Sequence, residues 1–172
     1  MPRCKNCKEK FEAKHFNQKF CFRSACVKVW VETAKVKNWK KTKKEWKQKN
    51  ESISSLMKKA QKVFNAYIRK RDKGKECASC DTILTTEYDA GHYFASGGSK
   101  SVTYNPLNVW GQCRKCNHFL SGNLIEYQIK IQQRIGAEHL LELYTEAHKE
   151  KKYTRDELNE IVEKYKKKIK EL

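Results

Sequence analysis

Eight cysteines, grouped in four close pairs, are the residues of this sequence best suited to binding a metal. The pairs are Cys4/Cys7, Cys21/Cys26, Cys77/Cys80 and Cys113/Cys116. Two pairs at such spacing supply the four thiolates of one tetrahedral zinc ion. The sequence therefore predicts two structural zinc ions, one held by the first four cysteines and one by the last four. A disulfide framework is the alternative interpretation of an even cysteine count.

The first quartet predicts a small zinc module over residues 1–26. Thirteen residues separate Cys7 from Cys21, which is enough for a hairpin or a knuckle turn. A closed four-thiolate site has no open coordination position, so its role is folding rather than catalysis. His15 lies between the two pairs and could replace one cysteine, or it could be a surface histidine.

The second quartet encloses or adjoins residues whose types suit phosphodiester hydrolysis. This reaction needs a base for water and a cation at the leaving oxygen. His92 is the predicted general base, because an imidazole titrates near neutral pH. Asn108 is predicted to orient His92 or to pin the neighbouring loop. Asn117, which directly follows Cys116, is predicted to give a carbonyl oxygen to Mg²⁺ or Mn²⁺, an ion separate from the zinc.

The basic residues favour a nucleic-acid partner. The formal net charge is +18, and DNA phosphates offset such a charge with release of counterions; a merely solubilising surface is the alternative. Residues 27–50 hold nine lysines interleaved with three tryptophans. The predicted phosphate contacts are Lys40, Lys43, Lys44 and Lys47 in this stretch and Arg69, Arg71 and Arg114 beyond it. No apolar run is long enough to span a membrane, and the start of the sequence lacks a secretory signal.

Hydrophobic periodicity predicts the elements that position these residues. A helical stripe runs from Ile53 to Ile68, with Gly74 beyond its end. Residues 82–94 and 107–112 have the composition of two strands, and a helix is expected from about Arg114. Later helices are expected to break at Gly136. Thr154 and Glu157 form a capping box before a final apolar stripe, which could pack in the core or against a partner helix.

The motifs resemble those of a known nuclease family. A histidine on a first strand, an asparagine near a second and an asparagine on the following helix are similar to the HNH (ββα-metal) pattern. More narrowly, the sequence resembles the phage NinG/Rap recombination proteins. The matching motifs are Cys77-x₂-Cys80, Gly91-His92-Tyr93, Asn108-Val109, Gln112-Cys113-x₂-Cys116-Asn117, Ser121-Gly122-Asn123-x₃-Tyr127 and, upstream, Phe64-Asn65-x-Tyr67-Ile68-Arg69-x-Arg71-Asp72. With the N-terminal cysteine module, they cover most of the chain.

The resemblance implies a structure-specific endonuclease that cuts branched recombination intermediates, such as Holliday junctions and D-loops, in the cytoplasm of a bacterial host. Many HNH sites place a metal ligand directly before the base, but here that residue is Gly91. Asp89 is a candidate catalytic metal ligand, although on a regular strand it points away from His92 unless a bulge redirects it. Asn123 is a further candidate and Glu87 a weaker one.

The sequence thus predicts an α+β, mostly helical chain with four segments. These are a Cys4 zinc module (1–26), a basic helical segment (27–74), a zinc-clipped ββα (HNH-like) nuclease core (75–135) and C-terminal helices (136–172). A non-enzymatic zinc-binding DNA adaptor or transcriptional regulator remains the alternative function. A sequence-specific HNH nuclease is less favoured, because no target-reading domain is evident. A homodimer is possible, since symmetric cutting needs two sites and the C-terminal stripe could pair.

Overall fold

The computed structural model describes residues 1–172, apart from the side chain of Gln48. The predicted α+β, mostly helical class is confirmed, and the sheet has two strands. In order, the elements are α1 Ser24–Lys49, α2 Ile53–Asp72, β1 Tyr88–His92, a 3₁₀ turn Lys100–Val102, β2 Val109–Cys113, a π-helix Lys115–Phe119, α3 Leu124–Ala147 and α4 Arg155–Glu171. Among the described helices, none has both the length and the apolar character needed to cross a bilayer.

The chain divides into two compact units, Met1–Glu51 and Ser52–Leu172. This division separates α1 from α2, which the sequence had predicted as one basic segment over residues 27–74. Ser52 explains the break, because its hydroxyl accepts a hydrogen bond from the N–H of Ser55 at 3.1 Å and caps a new helix. The second unit contains α2, the hairpin, α3 and α4 together.

The first unit consists of a cysteine-centred turn followed by α1. Arg3 and Lys10 pair as an antiparallel bridge, which folds the intervening Cys4 and Cys7 into a tight turn. The N–H of Cys4 closes this turn by donating to the carbonyl of Glu9 at 2.9 Å. Cys4, with Cys21 and Cys26, forms the small buried cluster of this unit.

The core of the second unit forms where α2 packs against α4 and the hairpin. The predicted stripe of α2 is confirmed, since Leu56, Ala60, Phe64 and Ile68 are buried. The stripe of α4 is buried against it; its members are Leu158, Val162 and Tyr165. The C-terminal stripe is therefore used inside the fold and is not available as a dimer interface. The capping box of Thr154 and Glu157 that begins α4 is confirmed.

The hairpin presents two different faces, because side chains alternate along a strand. Strands β1 and β2 pair antiparallel, with Asp89 opposite Gln112 and His92 opposite Val109. His92 lies on the face towards α2, and Asp89 lies on the other face. The expected strand was longer, but residues 82–84 instead pair with residues 75–77, through the Glu76–Ile83 bridge and flanking hydrogen bonds.

Helix α3 packs against part of the second face of the hairpin, near Gly91 and Trp110. Its buried residues are Tyr127, Ile131, Leu140, Leu143 and Ala147. The hydroxyl of Tyr127 donates to the carbonyl of Gly91 at 2.9 Å, which ties the helix to β1. Gly136 interrupts the helix with a φ of 81°, as the sequence predicted, because this backbone conformation favours glycine.

Candidate functional site

The four sulfurs of the second quartet converge beside the hairpin. All of them lie within 4.8 Å of one another, and Sγ of Cys80 is 3.8 Å from Sγ of Cys113. A tetrahedron with zinc–sulfur bonds of about 2.3 Å has edges of about 3.8 Å, so the spacing fits a zinc ion. All eight cysteines are free thiols, which removes the disulfide alternative. This quartet, completed by Cys77 and Cys116, could hold a zinc ion.

Backbone donors around this quartet favour the thiolate form that a metal requires. Sγ of Cys77 accepts hydrogen bonds from the N–H groups of Ser79 at 3.4 Å and Cys113 at 3.3 Å. Burial nevertheless raises the pKa of the Cys77 thiol. Burial also acts to raise the pKa of Cys80, but hydrogen bonds with Thr82 outweigh it and lower that pKa to about 7.

In the first quartet, as in the second, the sulfurs converge and accept hydrogen bonds from backbone N–H groups. Sγ of Cys7 lies 3.8 Å from Sγ of Cys21, and Sγ of Cys4 accepts the N–H of Cys21 at 3.3 Å. Burial opposes ionisation of Cys4, yet backbone N–H groups lower its pKa to about 6. Cys26 completes the cluster, so this quartet could also hold zinc. His15 is exposed and is not part of the cluster.

His92 is partly buried on the hairpin face towards α2. Its Nε2 lies 3.1 Å from the carbonyl oxygen of Thr103 and 3.5 Å from Nε2 of Gln61. Burial lowers the pKa of His92, although hydrogen bonds to the carbonyls of Thr103 and Ala90 act in the opposite direction. The imidazole is therefore neutral near pH 7, the form that a general base needs, but it is engaged with the loop.

Asn108 is fully buried and holds the loop between the two strands. Its Oδ1 accepts the N–H of Phe94 at 2.8 Å, and its Nδ2 donates to the carbonyls of Phe94 and Val102, each at 3.1 Å. Of the two predicted roles, these contacts match loop pinning. In the described structure no hydrogen bond joins the side chains of Asn108 and His92.

A carboxylate and an imidazole meet on the opposite face of the hairpin. Oδ2 of Asp89 lies 2.8 Å from Nε2 of His118, which the π-helix carries. No bulge redirects Asp89 towards His92 in the described strand β1, because the pairing with β2 runs continuously and keeps the two side chains on opposite faces.

His118 is the residue of this pair that sequence reasoning missed. The residue is exposed, but it is paired with Asp89. The signal that could have identified it is its position directly after Asn117, on the same turn of the π-helix. Asn117 is partly buried, and its side chain makes no hydrogen bond to any described residue. Its carbonyl oxygen therefore remains free to accept a ligand.

Gly91 directly precedes His92, and its surroundings explain why this residue is a glycine. A Cβ atom built there would lie 2.2 Å from Oε1 of Gln112. The Gln112 side chain is fixed, because its Nε2 donates to Oγ of Ser79 and to the carbonyl of Gly122. A side chain at position 91 would therefore displace Gln112 and disrupt the packing beside the second cysteine quartet.

Asn123, a candidate ligand of the catalytic metal, lies beside the second cysteine quartet. Its Nδ2 donates to the carbonyl of Ser79 at 3.1 Å and approaches Sγ of Cys116 at 3.9 Å. The weaker candidate, Glu87, forms an exposed ion pair with Arg114 at 2.9 Å. Neither residue reaches the Asp89–His118 pair through a hydrogen bond in the described part of the chain.

Arg71 is a structural residue, which corrects its prediction as a phosphate contact. Its guanidinium forms a bidentate pair with Asp72 at 2.7 and 2.8 Å and donates to the carbonyls of Pro106 and Val109. It also lies 4.2 Å from the ring centre of Trp110. Four of its five N–H groups are used inside the fold, so α2 is joined to β2.

Asp72 is the partner that holds Arg71 in place. It is buried and accepts the N–H of Gly111 at 2.8 Å. Burial alone would raise the pKa of Asp72, but hydrogen bonds and the charge of Arg71 outweigh burial and lower it. The carboxylate therefore stays ionised inside the second unit.

The remaining predicted DNA contacts have different surroundings. Arg114 is exposed and pairs with Glu87. Arg69 is partly buried, and its backbone carbonyl accepts the hydroxyl of Tyr88. The four predicted lysines of α1 are all exposed to solvent; they are Lys40, Lys43, Lys44 and Lys47. These contacts stay predictions.

Comparison with known proteins identifies the family. The model of the family described as "Bacteriophage Lambda NinG protein" matches residues 1–172. Protein ninG of Escherichia phage lambda is 36% identical over 119 residues, which cover 69% of this chain and 58% of that protein. Protein ninG of Salmonella phage P22 is 35% identical over the same shares of the two chains. The matched segment thus spans less than two thirds of these relatives, and no solved structure matches the chain. This chain belongs to the NinG family of bacteriophage lambda proteins.

Proposed function

We propose that this chain is a metal-dependent endonuclease that cuts branched DNA by phosphodiester hydrolysis. The observation that carries the proposal is the Asp89–His118 pair, which is open to solvent beside Asn117 on the π-helix. Carboxylate and amide oxygens suit Mg²⁺ or Mn²⁺, and an imidazole can complete such a set. Asp89, Asn117 and His118 would hold the ion, which would stabilise negative charge on the leaving oxygen.

His92 is the proposed general base, and its environment supports a neutral imidazole. Its hydrogen bond to the carbonyl of Thr103 holds the ring, so the base function requires the loop that carries Thr103 to shift when DNA binds. Catalytic hydrogen bonds are often poorly aligned in free enzymes and tighten only in the complex. His92 is the last residue of β1, and it lies on the face opposite to Asp89, so the proposal also requires the end of this strand to rearrange when DNA binds.

The branched substrate follows from the resemblance to the phage NinG/Rap recombination proteins, and the charge is consistent with it. A net charge of +18 provides affinity for any DNA backbone. Backbone contacts position a protein without reading sequence, so selectivity would come from the shape of the DNA. Membership of the NinG family supports the proposal.

A non-enzymatic zinc-binding DNA adaptor is the second candidate. One specific observation favours it: His92 is engaged with Thr103 and lies on the hairpin face opposite to Asp89. In this alternative, His92 is a structural histidine and Asp89–His118 is a surface ion pair, which contributes little to stability. The two zinc clips and the basic surface serve either function.

Cleavage assays separate the two candidates. Zinc-loaded protein is incubated with a four-way junction, a D-loop and a linear duplex, each with Mg²⁺ or Mn²⁺. The nuclease proposal predicts cutting of the branched DNAs and little cutting of the linear duplex. The adaptor predicts binding without cutting. Failure of the wild-type protein to cut every one of these DNAs with both ions would overturn the nuclease proposal.

A further inference from the structure

Positive charge and exposed aromatic rings are concentrated together in the first unit. Residues 1–51 hold sixteen basic residues against five acidic ones, and α1 alone holds nine lysines against two glutamates. Trp30, Trp39 and Trp46 of α1 are each more than half exposed. The second unit buries large aromatic side chains such as Phe64 and Tyr127 completely. Large apolar rings left in water mark a surface that binds a partner.

Two of these tryptophans form one row along α1. Trp39, Lys43 and Trp46 follow one another at helical spacing, so they share a face of the helix. Nζ of Lys43 lies 4.6 Å from the ring centre of Trp39. The two indoles are about 10 Å apart along the axis, from a rise of about 1.5 Å per residue.

A row of lysines runs directly beside this aromatic row. Lys40, Lys44 and Lys47 each follow a member of the aromatic row by one residue, a turn of about 100° around the helix. All three are exposed. Trp30 precedes Trp39 by nine residues, which places it on the opposite side of α1. One side of the helix therefore combines flat rings with a line of ammonium groups.

We propose that this aromatic and basic face of α1 binds unpaired bases of DNA. The indoles of Trp39 and Trp46 stack on bases, while the lysine row contacts the adjoining phosphates. Bases inside a duplex already stack on each other, so their faces are available only where strands are unpaired. The inference rests on the proposed function in one respect: it names unpaired bases at a branch as the feature that the nuclease recognises.

Charge complementarity selects DNA over other partners for this surface. If Trp39 and Trp46 occupied the a positions of a coiled coil with a second copy, the d positions would be Lys35, Thr42 and Lys49. If they occupied the d positions, the a positions would be Val36, Lys43 and Asn50. Two copies would then place lysine against lysine, which is unfavourable. A membrane-surface helix needs one continuous apolar face, whereas lysines surround α1. DNA with unpaired bases fits both rows, because its bases can stack on the tryptophans while its phosphates contact the lysines.

The test measures DNA binding by the full, zinc-loaded chain without added divalent cation, so that cutting does not interfere. The probes are an oligothymidylate, a four-way junction with an unpaired centre and a blunt duplex. In the variant Trp39→Leu/Trp46→Leu, affinity for the oligothymidylate should fall roughly 5- to 150-fold for each indole lost. Affinity for the duplex should change less than about twofold, since phosphate contacts remain.

Matched variants assign the effect to stacking. Trp30→Leu makes the same chemical change on the opposite side of α1 and should bind all three probes as the wild type does. Trp39→Phe/Trp46→Phe keeps aromatic faces and should retain most of the oligothymidylate affinity. Lys44→Gln should weaken single-strand and duplex binding alike and lower the salt slope by about 0.7 to 0.9. Quenching of tryptophan fluorescence by oligothymidylate should disappear in the double leucine variant.

The proposal is overturned if the double leucine variant, with unchanged helical content, binds oligothymidylate as tightly as the wild type. It is also overturned if the variant instead loses self-association or binding to anionic vesicles, because the surface then serves another partner. The two proposals fail separately. Tryptophan-dependent binding by a protein that cuts nothing supports this surface and rejects the nuclease, whereas cutting without tryptophan-dependent binding does the reverse.

Discussion

Asp89 and His118 meet across the hairpin and the π-helix, with Oδ2 of Asp89 2.8 Å from Nε2 of His118. This contact places a carboxylate and an imidazole side by side on the solvent-exposed surface of the second unit. Gly91 lies on the same face of β1, and Gln112 fills the space beside it. In the proposed metal site, Asp89 and His118 would supply ligand atoms on this face, where Gly91 has no side chain.

Replacement of Asp89 tests the proposed metal site. Asp89→Asn removes the charged ligand, so Mn²⁺ affinity should fall at least about tenfold and cleavage should slow at least about 100-fold. Titration calorimetry with Mn²⁺ on zinc-loaded protein measures the first effect. Asp81→Asn, at an exposed carboxylate paired with Lys130, is the matched control. Equal Mn²⁺ binding by Asp89→Asn and wild type would remove Asp89 from the site.

Metal analysis tests the two zinc clips. Wild-type protein should contain two zinc ions per chain, and Cys26→Ser and Cys116→Ser should each lose one of them. Only Cys116→Ser should unfold the second unit, because its quartet joins the hairpin to the π-helix. A wild-type content near one zinc would show that one of the quartets does not bind the ion.

The buried Asp72–Arg71 pair should contribute strongly to stability. Asp72→Asn leaves the guanidinium of Arg71 without its charged partner and should lower the free energy of unfolding by about 3 to 5 kcal/mol. Chemical denaturation measures this change. An exposed carboxylate such as Asp156, replaced by Asn, serves as a control and should change stability by less than about 1 kcal/mol.

The same pair predicts the direction of a pH effect. The pKa of Asp72 is lower in the folded chain than in an unfolded one, so its stabilisation is fully present above the ordinary aspartate pKa of about 3.9. That stabilisation is lost as the pH falls below this value through the folded pKa. Asp72→Asn should therefore show a weaker loss of stability on acidification; an unchanged acid profile would contradict this role.

Asn108 should act on the loop rather than on the chemistry. Asn108→Ala leaves buried polar groups of Phe94 and Val102 without partners, at about 1 to 3 kcal/mol for each group. Hydrogen exchange should become faster across residues 93–107 in the variant. Asn108→Asp keeps the acceptor and should retain the bond to the N–H of Phe94. Unchanged stability and exchange with complete loss of cleavage would instead indicate a direct chemical role.

The sequence was most informative where one residue type has one strong physical preference. The cysteine pairs predicted both cysteine quartets. Gly136 predicted the helix break, and Thr154 with Glu157 predicted the start of α4. These signals are local, so neighbouring residues suffice to interpret them. The α2 stripe was equally clear, because a buried helix face repeats with the helical period.

The sequence was misleading where a side chain could form several different contacts. The guanidinium of Arg71 could bind a phosphate. Only the fold shows that it donates its hydrogen bonds to Asp72 and to two backbone carbonyls instead. The partnership of Asp89 with His118 depends on the hairpin register, which residue types alone do not determine. The contact of Asn123 with Ser79 was unforeseen for the same reason, because it joins residues distant in the sequence.

The most direct test of the central claim is single-turnover cleavage of a four-way junction by wild-type protein, His92→Ala and His139→Ala. Loss of the general base should slow cutting by about 10²- to 10⁴-fold, whereas replacement of the exposed His139 should have little effect. Because the pKa of His92 is lowered, the wild-type rate should rise with pH through a midpoint below about 6.5. A folded His92→Ala protein that cuts the junction as fast as the wild type would contradict the proposed site.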